Sequence, residues 1–309
     1  MIGREQKLYL KLRKMKLFED IPKNIILNKE FDYYEVDRKF VSKEEIDLFY
    51  EDSFYENEKT DYLQSAWGED KDWYMLQWNI RLDFFISNYP DYRDAKVLDI
   101  GTGPGTFLEA CKQKNLNPVG TDTSPNAIKF IKSKGLNGIK TKIEKGDFES
   151  SSFDFIHSSE TLEHLYDPKE VLEKSYDLLK PGGIICISVP NDFSRVQLIA
   201  NRIVNKKNKY WWINEKHHLN YFSNSSINNL LKASGFQILD NINNFPLDVY
   251  IILGKNYIDN PELGKECHNL RKKFEFDLYE KGGSAHLIDF YKNITKSGLG
   301  RNVVVFARK

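Results

Sequence analysis

Apolar positions follow two different periods along the chain, and the change between them falls near Lys96. Before it, residues 70–90 (DKDWYMLQWNIRLDFFISNYP) place Trp73, Leu76, Ile80, Phe84 and, less regularly, Ile86 at helical spacing. From Lys96 onward, short apolar runs alternate with amphipathic ones. KVLDI reads as a buried strand that runs through GTGPG into a helix, TFLEACKQKN. PVGTD reads as a second strand, followed by a helix opening at Ser124-Pro125, with Ser at the N-cap and Pro at the first helical position. A third strand is expected near Ile139–Ile143, FDFIHSS (153–159) as a fourth, and a helix from about Pro168 to Leu179. PGG then turns the chain into IICISVP (184–190), a fifth strand. Residues 191–223 carry no clear strand. A helix over Ser225–Ser234 precedes GFQILD, the sixth strand, and VVVF in the closing GRNVVVFARK is the seventh. This alternation predicts an α/β fold: a doubly wound, mostly parallel seven-stranded sheet with helices on both faces.

The stretches outside the alternation set the expected organisation. Residues 1–90 form an N-terminal helical or irregular segment, its first 60 residues charged, aromatic and without strong strand signals. Residues 91–190 form the core, and 191–309 complete the same domain. Between the sixth and seventh strands lie roughly 55 residues (about 243–298), too long for a simple loop. They contain LRKKFEFDLYEK and AHLIDFYKNI, which read as helices, and are expected to form a helical cap insertion over the active site. Near the N-terminus, Leu8, Leu10, Leu12, Met15, Leu17 and Phe18 alternate with Arg4, Lys7, Lys11, Arg13, Lys14 and Lys16, a basic amphipathic element that reads as an arm packing on its own domain or fraying.

Composition narrows the class. The 309 residues carry 45 Lys+Arg and 45 Asp+Glu, a balance that gives no general attraction to nucleic acid, so no nucleic-acid partner is expected. No apolar run is long enough to span a bilayer, and the N-terminus lacks the pattern of a secretory signal, so no stable membrane insertion is expected. Cys111, Cys186 and Cys267 are far apart without CxxC spacing. That suggests neither a structural zinc site nor a disulfide framework, and the natural reading is the cytoplasm. Aromatics reach 14%, which suits a pocket that stacks on rings as well as it suits a core. The oligomeric state is not encoded in any recognisable pattern.

The chemistry-bearing segment is Val97-Leu98-Asp99-Ile100-Gly101-Thr102-Gly103-Pro104-Gly105. Glycines 101, 103 and 105 sit where a strand turns into a helix, letting a ligand approach the backbone. Asp122, with Thr123 beside it, closes the second strand, where an acid accepts both hydroxyls of a ribose. A dinucleotide with its diphosphate wants G-x-G-x-x-G, whereas position 106 is Thr. S-adenosyl-L-methionine (SAM) has no phosphate, and its ammonium can be placed by an acid such as Asp99. With VLDIGTGPG, VGTDTSPNAI, Gly146-Asp147-Phe148, FDFIHSSETLEHLYDP and LLKPGGIICISVPN in this order, the chain resembles the class I SAM-dependent methyltransferases over roughly Ala95–Asn191. A weaker likeness, through HHLNYFSNSSINNLLKASGF (217–236), is to the small-molecule and sugar O-methyltransferases of the ubiquinone-biosynthesis-like group. The resemblance implies a Rossmann-like fold and SAM as methyl donor. It implies Asp99, Gly101, Thr102, Gly103, Gly105, Asp122, Thr123 and Ser158 as cofactor-binding residues, with Asp147 and Phe148 holding the adenine.

The acceptor is less legible. Glu160, Glu163 and His164 follow the fourth strand, where the family faces its substrate, and His164 is the first candidate base. In related quinone O-methyltransferases an E-x-x-E-H segment is linked to a divalent metal, and Glu160-Thr161-Leu162-Glu163-His164 keeps that spelling. The plainer alternative, acids opening a helix, is preferred, so no metal ligand is assigned. His217 and His218 follow Tyr210-Trp211-Trp212 and precede Tyr221-Phe222, and His218 joins Glu160 and His164 as a catalytic candidate. Arg202, Lys206, Lys207 and Lys209 form a basic run that reads as a solvated face or as a contact for a phosphate on the acceptor. The fourth strand is not followed by an Asn/Asp-Pro-Pro-aromatic segment, so the common DNA N-methyltransferase chemistry is not supported, and the lack of a Pro-Cys pair speaks against cytosine C5 methylation. The expected function is methyl transfer to a hydroxyl of a small molecule or glycan precursor. The alternatives are N-methylation, methylation of RNA or protein, and a non-catalytic SAM-binding scaffold.

Overall fold

The computed structural model describes residues 21–58, 61–204 and 210–309. The basic amphipathic element of residues 4–18 and Lys206, Lys207 and Lys209 lie outside them.

The described chain opens with an antiparallel hairpin, β1 (Ile25–Asn28) and β2 (Tyr33–Val36). Helix α1 (Lys43–Leu48) starts at a capping box in which Ser42 and Glu45 satisfy each other's backbone N–H, and it runs straight into a π-helical segment, Phe49–Glu58. A single turn, α2 (Tyr62–Ser65), and a long helix, α3 (Lys71–Asn88), lead to the main sheet. There β3 (Lys96–Ile100), α4 (Thr106–Gln113), β4 (Asn117–Asp122), α5 (Pro125–Ser133), β5 (Gly138–Lys140), β6 (Phe153–Ser159), α6 (Pro168–Leu178) and β7 (Leu179–Pro190) alternate. The chain continues through α7 (Arg195–Val204), β8 (Asn220–Tyr221), α8 (Asn224–Ala233), β9 (Gln237–Asn243), α9 (Val249–Ile252), α10 (Pro261–Gly282) and α11 (Ser284–Lys296). It ends in β10 (Asn302–Arg308).

The seven-stranded sheet has the order β5-β4-β3-β6-β7-β10-β9, with β10 antiparallel to both its neighbours and the other pairs parallel. Its strands are apolar on both faces, as a sheet covered on both sides requires. Leu98, Ile156, Ile185 and Val305 face one layer, formed by α6 and α8 through Val171, Leu172, Ile227, Leu230 and Leu231. Their neighbours Val97, Phe155, Ile184 and Val304 face the other, formed by α3, α4 and α11 through Leu82, Phe85, Phe107, Leu287 and Tyr291. Truncating a fully buried side chain such as Phe85 or Leu82 to Ala would cost about 2–5 kcal/mol. Among the described residues no helix is long and apolar enough to cross a membrane.

Three expectations are corrected. The first 60 residues do carry strands: β1 and β2 join β8 in a separate three-stranded sheet, so residues 191–223 contribute a strand as well as α7. These strands have four, four and two residues, too short to establish an alternating pattern. The third main strand ends at Lys140, and Ile143–Lys145 is a 3₁₀ turn instead. The 243–298 insertion is only partly a cap. Helix α11 lies in the core against the sheet, and α10 is the helix that reaches the cavity described below.

Candidate active site

The order of the sheet reverses between β3 and β6: the chain goes from β3 outward to β4 and β5, then returns to the other side of β3. At such a switch point the loops leaving neighbouring strands diverge and open a crevice at the strands' C-terminal ends. A cavity of about 700 Å³ lies there, bordered by the loops after β3, β4 and β6.

The loop after β3 forms one wall with main chain. Gly101 has φ +71°, and a Cβ built there would sit 2.3 Å from Thr161 Oγ1. Both the conformation and the contact with the β6 loop therefore require glycine. The N–H groups of Gly101 and Thr102 both donate to Thr121 O at 2.9 Å, locking the loop onto β4. At Gly103 (φ +49°) an added Cβ would come within 3.1 Å of the Tyr55 hydroxyl, so the π-helical segment closes over the loop.

Two carboxylates flank this wall. Asp122 accepts hydrogen bonds from Gly103 N (3.0 Å) and Ser124 N (2.9 Å), yet burial pushes its pKa up to about 6. Asp99 is buried and lies 2.7 Å from His157 Nδ1, while His157 Nε2 lies 2.8 Å from the Arg81 guanidinium. Arginine can only donate, so Nε2 accepts and Nδ1–H donates to Asp99. Burial lowers the His157 pKa, which keeps the ring neutral, and it stacks 3.8 Å from Phe107. Arg81 and Asp99 are thus opposite charges joined through a neutral imidazole. Sequence reasoning missed Arg81 and His157. A charged residue on the apolar stripe of α3 and a histidine inside an apolar strand were the available signals.

The loop after β6 carries the polar cluster. Glu160 adopts φ +50°, donates its backbone N–H to Ser188 O, and accepts from Ser188 Oγ and Asn302 Nδ2. Burial raises its pKa to about 7 against the pull of Arg81 and Arg301. Glu163 is fully buried, and burial, reinforced by the Glu160 charge, raises its pKa well above the usual carboxylate range. His164 Nδ1 is 2.6 Å from both the Tyr50 hydroxyl and the His217 carbonyl oxygen, and its ring packs edge-on to His218 with centroids 4.9 Å apart. Donor atoms of Glu163, His164 and His218 all lie within 4.8 Å of one another. Glu163 Oε2 is buried without a hydrogen-bond partner among the described residues. A carboxylate with two imidazoles fits a divalent transition ion better than it fits Mg²⁺. The E-x-x-E-H spelling therefore divides: Glu163 and His164 meet His218, whereas Glu160 turns toward Ser188 and Asn302.

Of the residues singled out in the sequence, Asp99, Gly101, Thr102, Gly103, Asp122, Thr123, Glu160, His164 and His218 border the one cavity. Four do not. Gly105 is the left-handed N-cap of α4 and faces Ile131. Ser158 Oγ donates to Ile100 O between β6 and β3. Asp147 is exposed, and Phe148 packs against Phe153 at 5.6 Å. After β5 the residues that border the cavity are Thr141, Lys142, Ile143 and Glu144. Tyr50, Tyr55, Tyr62, Trp73, His268 and Arg271 also border the cavity and were not anticipated.

A family model described as a methyltransferase domain matches residues 79–241. Among curated proteins, the ubiquinone biosynthesis O-methyltransferase of Xylella fastidiosa (strain 9a5c) is 33% identical over 119 residues, 36% of this chain and 48% of that protein. The protein of the same name from Leptothrix cholodnii is 26% identical over 129 residues, 39% of this chain and 55% of that protein. The chain thus spans about half the length of the curated relatives it matches. Among solved structures, a SAM-dependent methyltransferase from Archaeoglobus fulgidus is 23% identical with a TM-score of 0.48, covering 74% of this chain and 91% of that one. A putative sarcosine dimethylglycine methyltransferase from Galdieria sulphuraria is 20% identical with a TM-score of 0.48, covering 77% and 84%.

Proposed function

The chain belongs to the methyltransferase domain family, and from that premise we propose that it transfers the methyl group of SAM to a hydroxyl of a small molecule or glycan precursor. The observation that carries this reading is a single cavity bordered by the Gly101–Gly103 main chain, the Asp122 carboxylate and the His164 imidazole. The names of the ubiquinone biosynthesis O-methyltransferases support a hydroxyl on a small acceptor.

In this reading Asp122, oriented by the Gly103 and Ser124 N–H groups, accepts the ribose hydroxyls through its remaining lone pairs. Thr102 and Thr123 line the same end, Ile143 and its neighbours bound the adenine, and Asp99, fixed by His157, faces the ammonium. Bound SAM supplies an electrophilic methyl group on a sulfonium. Catalysis then rests on holding the acceptor oxygen in line with that methyl and on removing its proton. The His217 carbonyl takes a hydrogen from His164 Nδ1, which leaves Nε2 as the basic nitrogen. With SAM bound, Nε2 of His164 would take the hydroxyl proton as the methyl group moves from sulfur to the acceptor oxygen, leaving S-adenosylhomocysteine (SAH) and an ether. His218 and Glu160 line the acceptor side. Tyr50 and Tyr55 cover the cavity and restrict water. We place the protein in the cytoplasm, supported by three free, buried cysteines.

The test is methyl transfer from labelled SAM to a panel of phenols and sugars. Labelled ether product is expected with at least one hydroxyl acceptor. Product confined to amines, or SAM binding without product across the panel and cell extracts, would contradict the reading.

A further inference from the structure

One wall of the cavity comes from α10, through His268 and Arg271, and packs against Trp73 of α3. Arg271 is only 8% exposed, and its guanidinium lies over the Trp73 ring, 4.2 Å from the centroid. Its Nη2 donates to His268 Nδ1 at 2.8 Å. Since arginine only donates, His268 Nδ1 accepts, and its Nε2–H donates to Asp70 Oδ1 at 3.0 Å. Burial lowers the His268 pKa, so the one side chain that Arg271 bonds is a neutral ring.

Arg271 has no ion pair within 4.0 Å among the described residues, and its buried Nε lacks a hydrogen-bond acceptor. The neighbouring acids are engaged elsewhere. Asp70 is held by Lys272 Nζ at 2.7 Å. Glu275 accepts from Trp73 Nε1 and from the Tyr291 hydroxyl, and burial raises its pKa against the pull of the Arg271 charge. Arg81, the other arginine on the cavity, is instead committed to His157 and Ser159 and, through His157, to Asp99. Glu275 feels the Arg271 charge but is tied to Trp73 and Tyr291 and makes no ion pair with the guanidinium within 4.0 Å among the described residues, so donors of the fork stay open, and that fork matches a carboxylate or phosphate.

We propose that Arg271 is an anion-binding residue of this cavity, receiving a carboxylate or phosphate group of a bound ligand against the face of Trp73. The inference rests on reading the cavity as a SAM site. Within it the anion has two sources, the methionyl carboxylate of the cofactor or an acidic group on the acceptor. The Trp73 face fixes the guanidinium plane, and His268 fixes one edge, leaving the rest of the fork for the ligand.

The experiment compares wild type with Arg271→Gln by calorimetry in two arms. In the first, SAH and 5′-methylthioadenosine, which lacks the amino acid, are titrated separately. In the second, inorganic phosphate and benzoate are titrated into ligand-free and SAH-loaded protein. A loss of roughly tenfold or more for SAH but not for 5′-methylthioadenosine supports the inference with the cofactor as source. A comparable loss for phosphate or benzoate, with SAH unchanged, supports it with the acceptor as source. Equal binding of all four by both proteins overturns it, as does an equal loss for SAH and 5′-methylthioadenosine. Arg271→Lys, which keeps the charge without the fork, is expected to fall between the two and serves if Arg271→Gln does not fold. Failure of wild type to bind SAH would sink the proposed function instead, because phosphate and benzoate still read Arg271 in the ligand-free protein.

Discussion

At the ends of β3 and β4 the cavity wall is largely main chain. Gly101 and Gly103 carry no side chain, their loop is tied to Thr121 O, and the Asp122 carboxylate is held by two backbone N–H groups. The wall from α3, α10 and the start of the π-helical segment is side chain: Tyr50, Trp73, His268 and Arg271. A main-chain wall has few ways to change without losing its ligand, and suits a cofactor of fixed shape. A side-chain wall can be rewritten residue by residue, and suits an acceptor. The family model stops at residue 241, before α10 begins, so it covers the first wall and not the whole of the second.

The contrast breaks or sharpens under substitution. The largest effect is expected at the acceptor side. His164→Ala should lower turnover by roughly 10²–10⁴-fold, the usual weight of a general base, while the SAM dissociation constant stays within about twofold. Unchanged turnover in a steady-state assay would remove His164 from the mechanism. Next is Gly101→Ala, whose Cβ would meet Thr161 Oγ1 at 2.3 Å. SAM affinity should fall by about a hundredfold, since a left-handed backbone and an overlapping contact are forced together. Calorimetry beside a thermal melt separates that loss from unfolding.

A smaller effect follows from pH. The pKa of Asp122 stands at about 6, and the ribose hydroxyls need an ionised acceptor. Above that value the carboxylate is already ionised and SAM affinity should be flat. Below it the carboxylate must first lose a proton, so affinity should drop by up to about tenfold per pH unit. A flat profile from pH 5 to 8 would argue against this carboxylate as the ribose acceptor. Smallest is Asp147→Ala. The side chain is exposed and outside the cavity, so the SAM dissociation constant should stay within about twofold, as for ordinary surface changes. A tenfold loss would return the adenine contact to Asp147.

What could be read in the sequence divides along the same line. VLDI and IICISVP are mostly apolar runs, interrupted at Asp99 and Ser188 and ended by glycine or proline, so strand, turn and sheet class were legible, and Asp122 was singled out from its place at the end of PVGTD. His164 and His218 were each visible, but they lie 54 positions apart and only the fold brings their rings to 4.9 Å. Arg81 and His157 were passed over, because the pairing that makes them tolerable in apolar surroundings is long-range. Arg271 sits in a helix so rich in charge that one residue carries no distinguishing mark. Asp147 and Phe148 were singled out from the Gly146-Asp147-Phe148 motif alone, and a motif does not say that Asp147 is exposed and Phe148 packs on Phe153, both outside the cavity.

The central claim is that the glycine loop and Asp122 hold SAM. The most direct measurement is calorimetric titration of SAM and SAH into wild type and Asp122→Ala. The account predicts micromolar binding to wild type and its loss in a variant with an unchanged melting profile. No binding to well-folded wild type, or equal binding by both proteins, would contradict it.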